Sequence, residues 1–423
     1  MEAVRLIGYS RTKLVLPTIW FMFFLLTFRT LDRLPIGVFE ILFLLVIIMV
    51  SVVSFRDMVV GWSKGSGNYL QLILFPLFLL PFVNAFQANQ EFQQPYWMGL
   101  IAQRQQFIMF AGYFIVVALK RNWVSIDNLT KYLIKSLIII MLIMLFFSVF
   151  IDPTKFGDSE FARYSLNKGW HYEFPSDVLA NVIIFSMISV ISSNNYKYII
   201  PLGIGVIYFL LYIQDRSQIL MICITLAIYF LRNVNLTKTF YFIVWGSIIL
   251  LSTISLFMIF NPDIINHYIT IFGNASTIVT GESTSEYSTN MRLSEGAIAI
   301  KGFYKHPWLG NGFVSSQFKG GFSGFFGYFY AADVGILGNL FVYGILGTLV
   351  FYLPFIFAVK WARKLRNNHH ILLTTAQYGL IFVFLDMLTA ASNIKFIGLP
   401  SIFFAIIYYF RFLYKPVNGE VPS

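Results

Sequence analysis

Apolar residues gather into runs long enough to cross a hydrocarbon core, which takes roughly 20 residues of helix. They fall near 14–31, 35–54, 69–87, 98–119, 131–151, 177–193, 198–214, 217–232, 239–260, 333–359, 371–392 and 397–413. The pattern predicts an all-α integral membrane protein of about twelve transmembrane helices, a single polytopic domain over 1–423. The boundary at Asp215–Arg216 is the weakest, because 198–232 also reads as one long broken span. Two connectors, 152–176 and 261–332, are far longer than the rest, and long loops in compact proteins are functional or disordered.

Within the second long connector the pattern changes twice. GNASTIVTGESTSEYSTN (273–290) is low in complexity and reads as a mobile linker. MRLSEGAIAIKGFYKHP then puts Leu293, Ala297, Ile300 and Tyr304 on one stripe of a helix lying in the membrane interface. Arg292 and Glu295 share a separate face, and Lys301 and Lys305 point the opposite way. Pro307 ends the helix, and the glycine-rich LGNGFVSSQFKGGFSGFFG follows as a pliable loop.

Composition agrees with the pattern. Of 423 residues, 58% are hydrophobic and 12% charged, which excludes an ordinary soluble globule. The 47 Phe, 24 Tyr and 8 Trp suit lipid-facing surfaces and interfacial belts. The single cysteine, Cys223, lies in an apolar run, which speaks against disulfides, thiolate metal sites and a cysteine nucleophile. A net charge of +11 suggests nucleic acid until the charges are located. Arg5, Arg11, Lys13, Arg56, Lys64, Lys120, Arg121, Lys360, Arg363, Lys364 and Arg366 all fall on the side of the N-terminus, opposed there by only Glu2, Asp57, Asp127 and Glu420. By the positive-inside rule that side is cytoplasmic and holds both termini. The expected partners are therefore membrane lipids and not nucleic acid. The first apolar run is flanked by Arg29, Asp32 and Arg33 and lacks a small-residue cleavage site, so no cleavable signal peptide is expected.

Three arginines fall on the opposite, outer side: Arg163 in the first long connector, Arg216 between two apolar runs, and Arg292 on the interfacial helix. Planar, permanently charged guanidinium groups bind phosphate oxygens in bidentate fashion, so three that meet would form a diphosphate clamp. Each also has an ordinary reading: a solvated loop charge for Arg163, pairing with Asp215 or a helix-end cap for Arg216, and an i,i+3 pair with Glu295 for Arg292. His171, Tyr172, Glu173 and Asp177 cluster in the first connector, where an imidazole or carboxylate could act as general base; Asp177 also suits a helix cap. His306 precedes a proline and suits a turn, and Asp333 is read either as a helix cap or as a catalytic acid. Glu40 and Asp386 lie in apolar runs and are expected to face the bundle interior. His369 and His370 sit in a basic segment suited to lipid headgroups. No His/Asp/Glu spacing resembles a dedicated divalent site, so neither metal nor cofactor is expected.

Taken in order, ARYSLNKGWHYEFPSDVLANVIIF, QDRSQILMICITL and MRLSEGAIAIKGFYKHPWLGNGF resemble the O-antigen polymerase and ligase superfamily (Wzy and WaaL types). Those proteins carry an arginine before a P-N-x-L-A turn, a short S-R-S-like connector, and an R-x-x-x-W-type helix leading to h-P-L-L-G-x-G, which HPWLGNGF (306–313) matches. The resemblance covers roughly 155–350. It implies a GT-C-like glycosyltransferase bundle in a bacterial inner (plasma) membrane, with two larger periplasmic loops at 152–176 and 261–332. By that likeness Arg216, Arg292, Asp333 and Glu173 are the catalytic candidates. Arg163, His171, Tyr172, Asp215 and His306 would bind the donor, an oligosaccharide on undecaprenyl diphosphate. Ligases carry a histidine just after the glycine-rich loop; here GYFYAADVGILGNLFVYGILG has Asp333 and no histidine, which favours a polymerase of O-antigen- or capsule-type repeat units. A chain-length regulator stays open as a partner. A lipid-linked oligosaccharide flippase is the rival from another class, but the paired, broken-helix repeats of transporters are not found.

Overall fold

Backbone N–H and C=O groups in hydrocarbon must be bonded within the protein, and an isolated helix is the simplest way to do so. The computed structural model describes residues 17–27, 37–64, 69–157, 162–165, 169–172, 174–213, 215–235, 237, 239–240, 287–366, 368–389 and 398–414. Its helices in chain order are α1 (Pro17–Thr27), α2 (Gly37–Ser63), α3 (Tyr69–Phe92), α4 (Tyr96–Ala102), α5 (Phe110–Lys120), α6 (Ile126–Phe150), α7 (Ser176–Ser193), α8 (Ile199–Tyr208), α9 (Arg216–Asn233), α10 (Tyr287–Lys305), α11 (Gly335–Lys364), α12 (Ile371–Thr389) and α13 (Gly398–Phe412). A 3₁₀ stretch, Arg104–Met109, joins α4 to α5, and α8 runs on as a π-helical turn, Phe209–Ile213.

Among the described residues, seven helices are long and apolar enough to cross a bilayer, or eight if the pair Tyr96–Ala102 and Arg104–Lys120, bent by 45°, counts as one span. α1, α9 and α13 are shorter, with apolar stretches of 10–17 residues. Every apolar run named above coincides with a helix except 239–260, which lies outside the described residues beyond Phe240. The linker expected over 273–290 ends sooner than its composition suggests, because α10 begins at Tyr287; 273–286 lie outside the described residues. Ser and Thr are tolerated in a first helical turn, where the backbone N–H groups have no intrahelical acceptor.

Burial sorts the helices into a centre and a rim. α13 is buried all round, with Leu399, Ile402, Phe403, Phe404, Ile406 and Ile407 inside, and it packs against α5, α11 and α12. A helix apolar on every side belongs in such a core. α2 is its opposite: 17% of its span is buried, against 67% for α7, and Ile48, Met49, Val52 and Val59 are exposed. That surface matches acyl chains, which are as apolar as the side chains themselves. Asp386 is buried in α12, as its position in an apolar run requires; the Glu40 side chain lies outside the described residues.

Where α2 and α5 finish, Arg121 Nη2 pairs with Asp57 Oδ1 at 3.0 Å. The Tyr113 hydroxyl donates to Asp57 Oδ2 at 3.1 Å, and Gln71 Nε2 donates to that hydroxyl at 3.1 Å, tying α2, α3 and α5 together. His370 belongs to the packing at the basic end, its ring centre 5.0 Å from that of Phe410; burial holds its pKa below the usual imidazole value, opposed by Asp127.

One helix is broken in mid-course. Gly344 in α11 has φ 62° and ψ −169°, which opens the helical ladder. The loop 307–312 closes the gap strand-fashion. Asn311 N–H donates to Phe341 O at 2.9 Å and Gly312 N–H to Val342 O at 3.0 Å, while Ile345 N–H donates to Pro307 O at 2.8 Å and Leu346 N–H to Trp308 O at 3.1 Å. The Asn311 carboxamide adds bonds to Phe341 O at 2.9 Å and Gly302 O at 3.1 Å, fastening the end of α10 to the same place. Gly310, at φ 71°, lies against the break, and a Cβ on it would run into the Val342 carbonyl; one on Gly344 would run into the Trp308 carbonyl. An alanine at 344 therefore meets both a positive-φ, extended conformation open essentially to glycine alone, costing about 1–3 kcal/mol, and a steric clash. Gly344→Ala is expected to lower the thermal midpoint of the detergent-purified protein or destroy its monodisperse chromatographic peak. An unchanged midpoint and peak would show that the break is dispensable.

Candidate functional site

The head of α11 gathers the polar chemistry. α10 packs there with Glu295 and Ala299 buried, while Ala297, Ile300 and Tyr304 are exposed. The apolar stripe expected to lie in the interface is thus the outward one, and the inward face is small and acidic. Glu295 Oε1 accepts the Tyr330 N–H at 2.8 Å. Tyr330 leads into the 3₁₀ turn Ala331–Val334, whose Asp333 N–H donates back to Tyr330 O at 2.9 Å. Arg292, exposed, lies one turn before Glu295 on α10.

Electrostatics link the three side chains. Burial pushes the Glu295 carboxyl up to about 7; the Tyr330 amide opposes that, the Asp333 carboxylate adds to it, and the Arg292 guanidinium opposes it. Arg292 and Asp333, far apart in the chain, thus both act on the charge of Glu295. Asp333 lies in the 3₁₀ turn Ala331–Val334, one residue before the N-cap position of α11 at Val334.

A second cluster fastens α10 to α3. His306 Nε2 lies 2.8 Å from Glu91 Oε2, and Lys305 Nζ pairs with the other Glu91 oxygen. His306 is thus committed to a carboxylate from α3 as well as to its turn. Next to it Gln94 holds the loop from both sides, Nε2 donating to Phe313 O at 3.1 Å and Oε1 accepting the Ser315 N–H at 2.7 Å. Deeper in the bundle Asn84 Nδ2 donates to Gln103 Oε1 at 3.3 Å, and Gln106 Nε2 reaches both Gln103 Oε1 at 3.3 Å and the Tyr343 hydroxyl at 2.8 Å. Buried amides in an apolar bundle demand partners, and these connect α3, the bend after α4, and the broken helix. Sequence reasoning passed over them. The signal was the density of Asn and Gln between 84 and 106, inside segments otherwise read for hydrophobicity alone.

Arg216 opens α9, which separates it from the preceding π-helical turn. Asp215 is the cap: Oδ1 accepts the N–H groups of Ser217 at 3.1 Å and Gln218 at 3.2 Å and the Ser217 hydroxyl at 2.7 Å. In the first long connector, strands β1 (Ala162–Ser165) and β2 (Gly169–Tyr172) pair antiparallel, with Arg163 opposite His171. The side chains of Arg163 and Arg216, and the whole of Glu173, lie outside the described residues. His171 Nδ1 lies 3.0 Å from Gly169 O. Tyr172 is an anchor: its ring stacks on Phe174 at 5.2 Å, and its hydroxyl donates to Ile151 O at 3.0 Å at the end of α6. Asp177 sits inside the first turn of α7, after the cap position at Pro175, where an acid still favours the helix dipole.

In the aromatic loop before Asp333, Phe322 and Phe329 are buried around Phe341, with ring centres 5.3 and 4.8 Å from it, whereas Phe326, Tyr328 and Tyr330 are exposed, the two tyrosines meeting edge to face at 5.3 Å. Phe322 also meets Phe92 at 6.1 Å, so the loop packs between α11 and the end of α3, and the tyrosines, with polar tips, face outward. Among the described residues no group of three or more His, Cys, Asp or Glu could hold a metal ion. No protein-family model matches the chain, and no curated protein does.

Capping predicts how Asp215 responds to substitution. Asp215→Ala should lower stability by about 0.5–2 kcal/mol, seen as a fall in the thermal midpoint in detergent, while Asp215→Asn keeps an acceptor for both N–H groups and stays close to wild type. An equal loss in both variants would assign the carboxylate a role other than capping.

Proposed function

We propose that the protein is a membrane glycosyltransferase that polymerises oligosaccharide repeat units carried on undecaprenyl diphosphate, at the periplasmic face of a bacterial inner membrane. The observation that supports this reading is the fastening of the Asp333 turn to α10, the helix of Arg292, through the Glu295–Tyr330 hydrogen bond, beside the loop HPWLGNGF through which the chain resembles O-antigen polymerases. The bundle is of the GT-C-like kind with twelve spans, and both termini are cytoplasmic.

The chemistry asks little of the protein beyond charge and placement. The acceptor hydroxyl oxygen attacks the anomeric carbon as its bond to the diphosphate oxygen breaks, and the lipid diphosphate leaves. Arg292 and Arg216 neutralise the charge gathering on the leaving oxygens, with Arg163 on the same diphosphate, a role for which fixed donors in a water-poor site are well suited. Asp333, exposed on the turn held against α10, takes the hydroxyl proton. A general base of this kind contributes about 10²- to 10⁴-fold. Tyr328 and Tyr330 offer ring faces to the sugars. Asp333 in place of a ligase-type histidine favours polymerisation over transfer of finished polymer to an acceptor.

In the native strain, Arg292→Ala and Arg216→Ala are each expected to abolish the surface-glycan ladder, and Arg292→Lys also, because an ammonium lacks the bidentate fork. Deletion of the gene should leave single repeat units on the acceptor. Accumulated lipid-linked polymer would assign a ligase, units trapped in the cytoplasm a flippase, and an unaltered glycan would remove the proposal altogether.

A further inference from the structure

Glu295 is a buried acid that the proposed reaction leaves unused. It is 1% exposed, yet the charges of Arg292 and Asp333, both exposed, act on it. A carboxyl group is costly to bury unless its acceptor capacity is used, and here the partner is informative. The bond it makes is not to another helix but to the backbone N–H of Tyr330, three residues before Asp333. Tyr330 O in turn receives the Asp333 N–H. Two consecutive bonds, Glu295 Oε1 to Tyr330 N–H and Tyr330 O to Asp333 N–H, therefore run from α10 to the turn that presents Asp333, and Arg292 stands on the same helix as Glu295.

We propose that Glu295 is a positioning residue, whose carboxylate holds the Tyr330–Val334 turn, and with it Asp333, against α10, the helix that carries Arg292. The inference rests on the glycosyl-transfer reading for its effect on turnover, while its effect on the turn stands apart from that reading. Glu295 touches no substrate in this scheme; its surroundings are protein on every side.

The charged state of Glu295 matters to the grip. An ionised acceptor makes the stronger hydrogen bond to an amide, and burial brings its titration to about 7, with Asp333 and Arg292 as the charged groups acting on it. The α11 residues seen against α10, Leu337 and Phe341, are apolar, and the loop leading into the turn adds the phenols of Tyr328 and Tyr330. Because the carboxyl titrates above its unfolded value, the folded state binds the extra proton: Glu295 favours folding below about 4.5, and that contribution is lost as pH rises through about 7. The turn is therefore held most firmly in the pH range where Glu295 contributes least to stability. Function and stability should separate in a neutral isostere.

Two measurements on the full-length protein test this. Hydrogen exchange of the purified protein without ligand reads the turn directly. Glu295→Ala should speed exchange of the Tyr330 amide at least tenfold at pH 8, and Glu295→Gln, which keeps an acceptor, by less than threefold; equal protection in Glu295→Ala and wild type would overturn the inference. Glu295→Gln should also raise the thermal midpoint more at pH 8 than at pH 6, and a uniform shift would show that the carboxyl is not the group titrating near neutrality. In membrane vesicles supplied with the strain's own lipid-linked repeat units, Glu295→Ala should lower kcat at least tenfold with KM changed less than threefold. Glu295→Gln should keep a third or more of the activity and lack the decline expected of wild type as pH falls through about 7. A Glu295→Gln enzyme inactive at every pH would make Glu295 a reacting group and overturn the positioning role, as would a pH decline that survives the substitution. If deletion of the gene leaves the glycan intact, the functional reading fails alone, and the exchange data still decide the fate of the turn.

Discussion

A backbone cannot leave its helix inside an apolar bundle unless other backbone takes its place, and the fold is organised around one such exchange. The opening at Gly344 leaves carbonyls at Phe341 and Val342 and amides at Ile345 and Leu346 without helical partners, and the segment Pro307–Gly312 supplies all of them. Either piece alone would be intolerable at that position. Together they turn an irregular loop into a fixed floor. Everything nearby takes its bearing from that floor: α10 is fastened by Asn311, α3 by Gln94 and by the Glu91 cluster, and the amide network runs down to the bend after α4.

That arrangement explains how a pliable, glycine-rich sequence can carry chemistry. The loop bonds to α11 through main chain, which leaves its side chains to serve different ends. Asn311 locks the junction, Phe322 and Phe329 pack around Phe341, and Tyr328 and Tyr330 face outward. The acidic turn follows directly, held from α10 by one buried carboxyl. Asp333 is thus carried on a turn that is itself held to α10 by main-chain and carboxylate bonds, the fixed mounting that the proposed reaction calls for.

Hydrophobic period made the helices legible, because a lipid-crossing run needs little beyond length and apolarity. The boundary at Asp215 was the weakest in that pattern, and the capping bonds that settle it are made by the Asp215 carboxylate to the first turn of α9. Other features were hidden for definite reasons. The break at Gly344 lies within an uninterrupted apolar run, and only the distant HPWLGNGF segment explains it. α10 was legible as a helix, but its packed face was not: the apolar stripe looks outward, and the face that binds protein is marked by Glu295 and Ala299, which carry no hydrophobic signal. Glu91 and Gln94 were invisible because their partners lie more than two hundred positions away. Arg292 and Asp333 could be nominated from residue type and resemblance, whereas their common action on the charge of Glu295 is a property of three dimensions.

The central position of α13 bears on assembly. It is surrounded by α5, α11 and α12, all of which precede it in the chain. Helices inserted in order of synthesis must therefore leave a gap in the middle of the growing bundle, to be filled after its walls are already in the bilayer. Until then the walls of that gap are served by lipid, which fits poorly against the close backbone approach seen between Gly112 and Ser401. Displacing that lipid, rather than gathering apolar surface out of water, is what drives the last helix home, and it makes the nascent protein sensitive to the bilayer in which it is made.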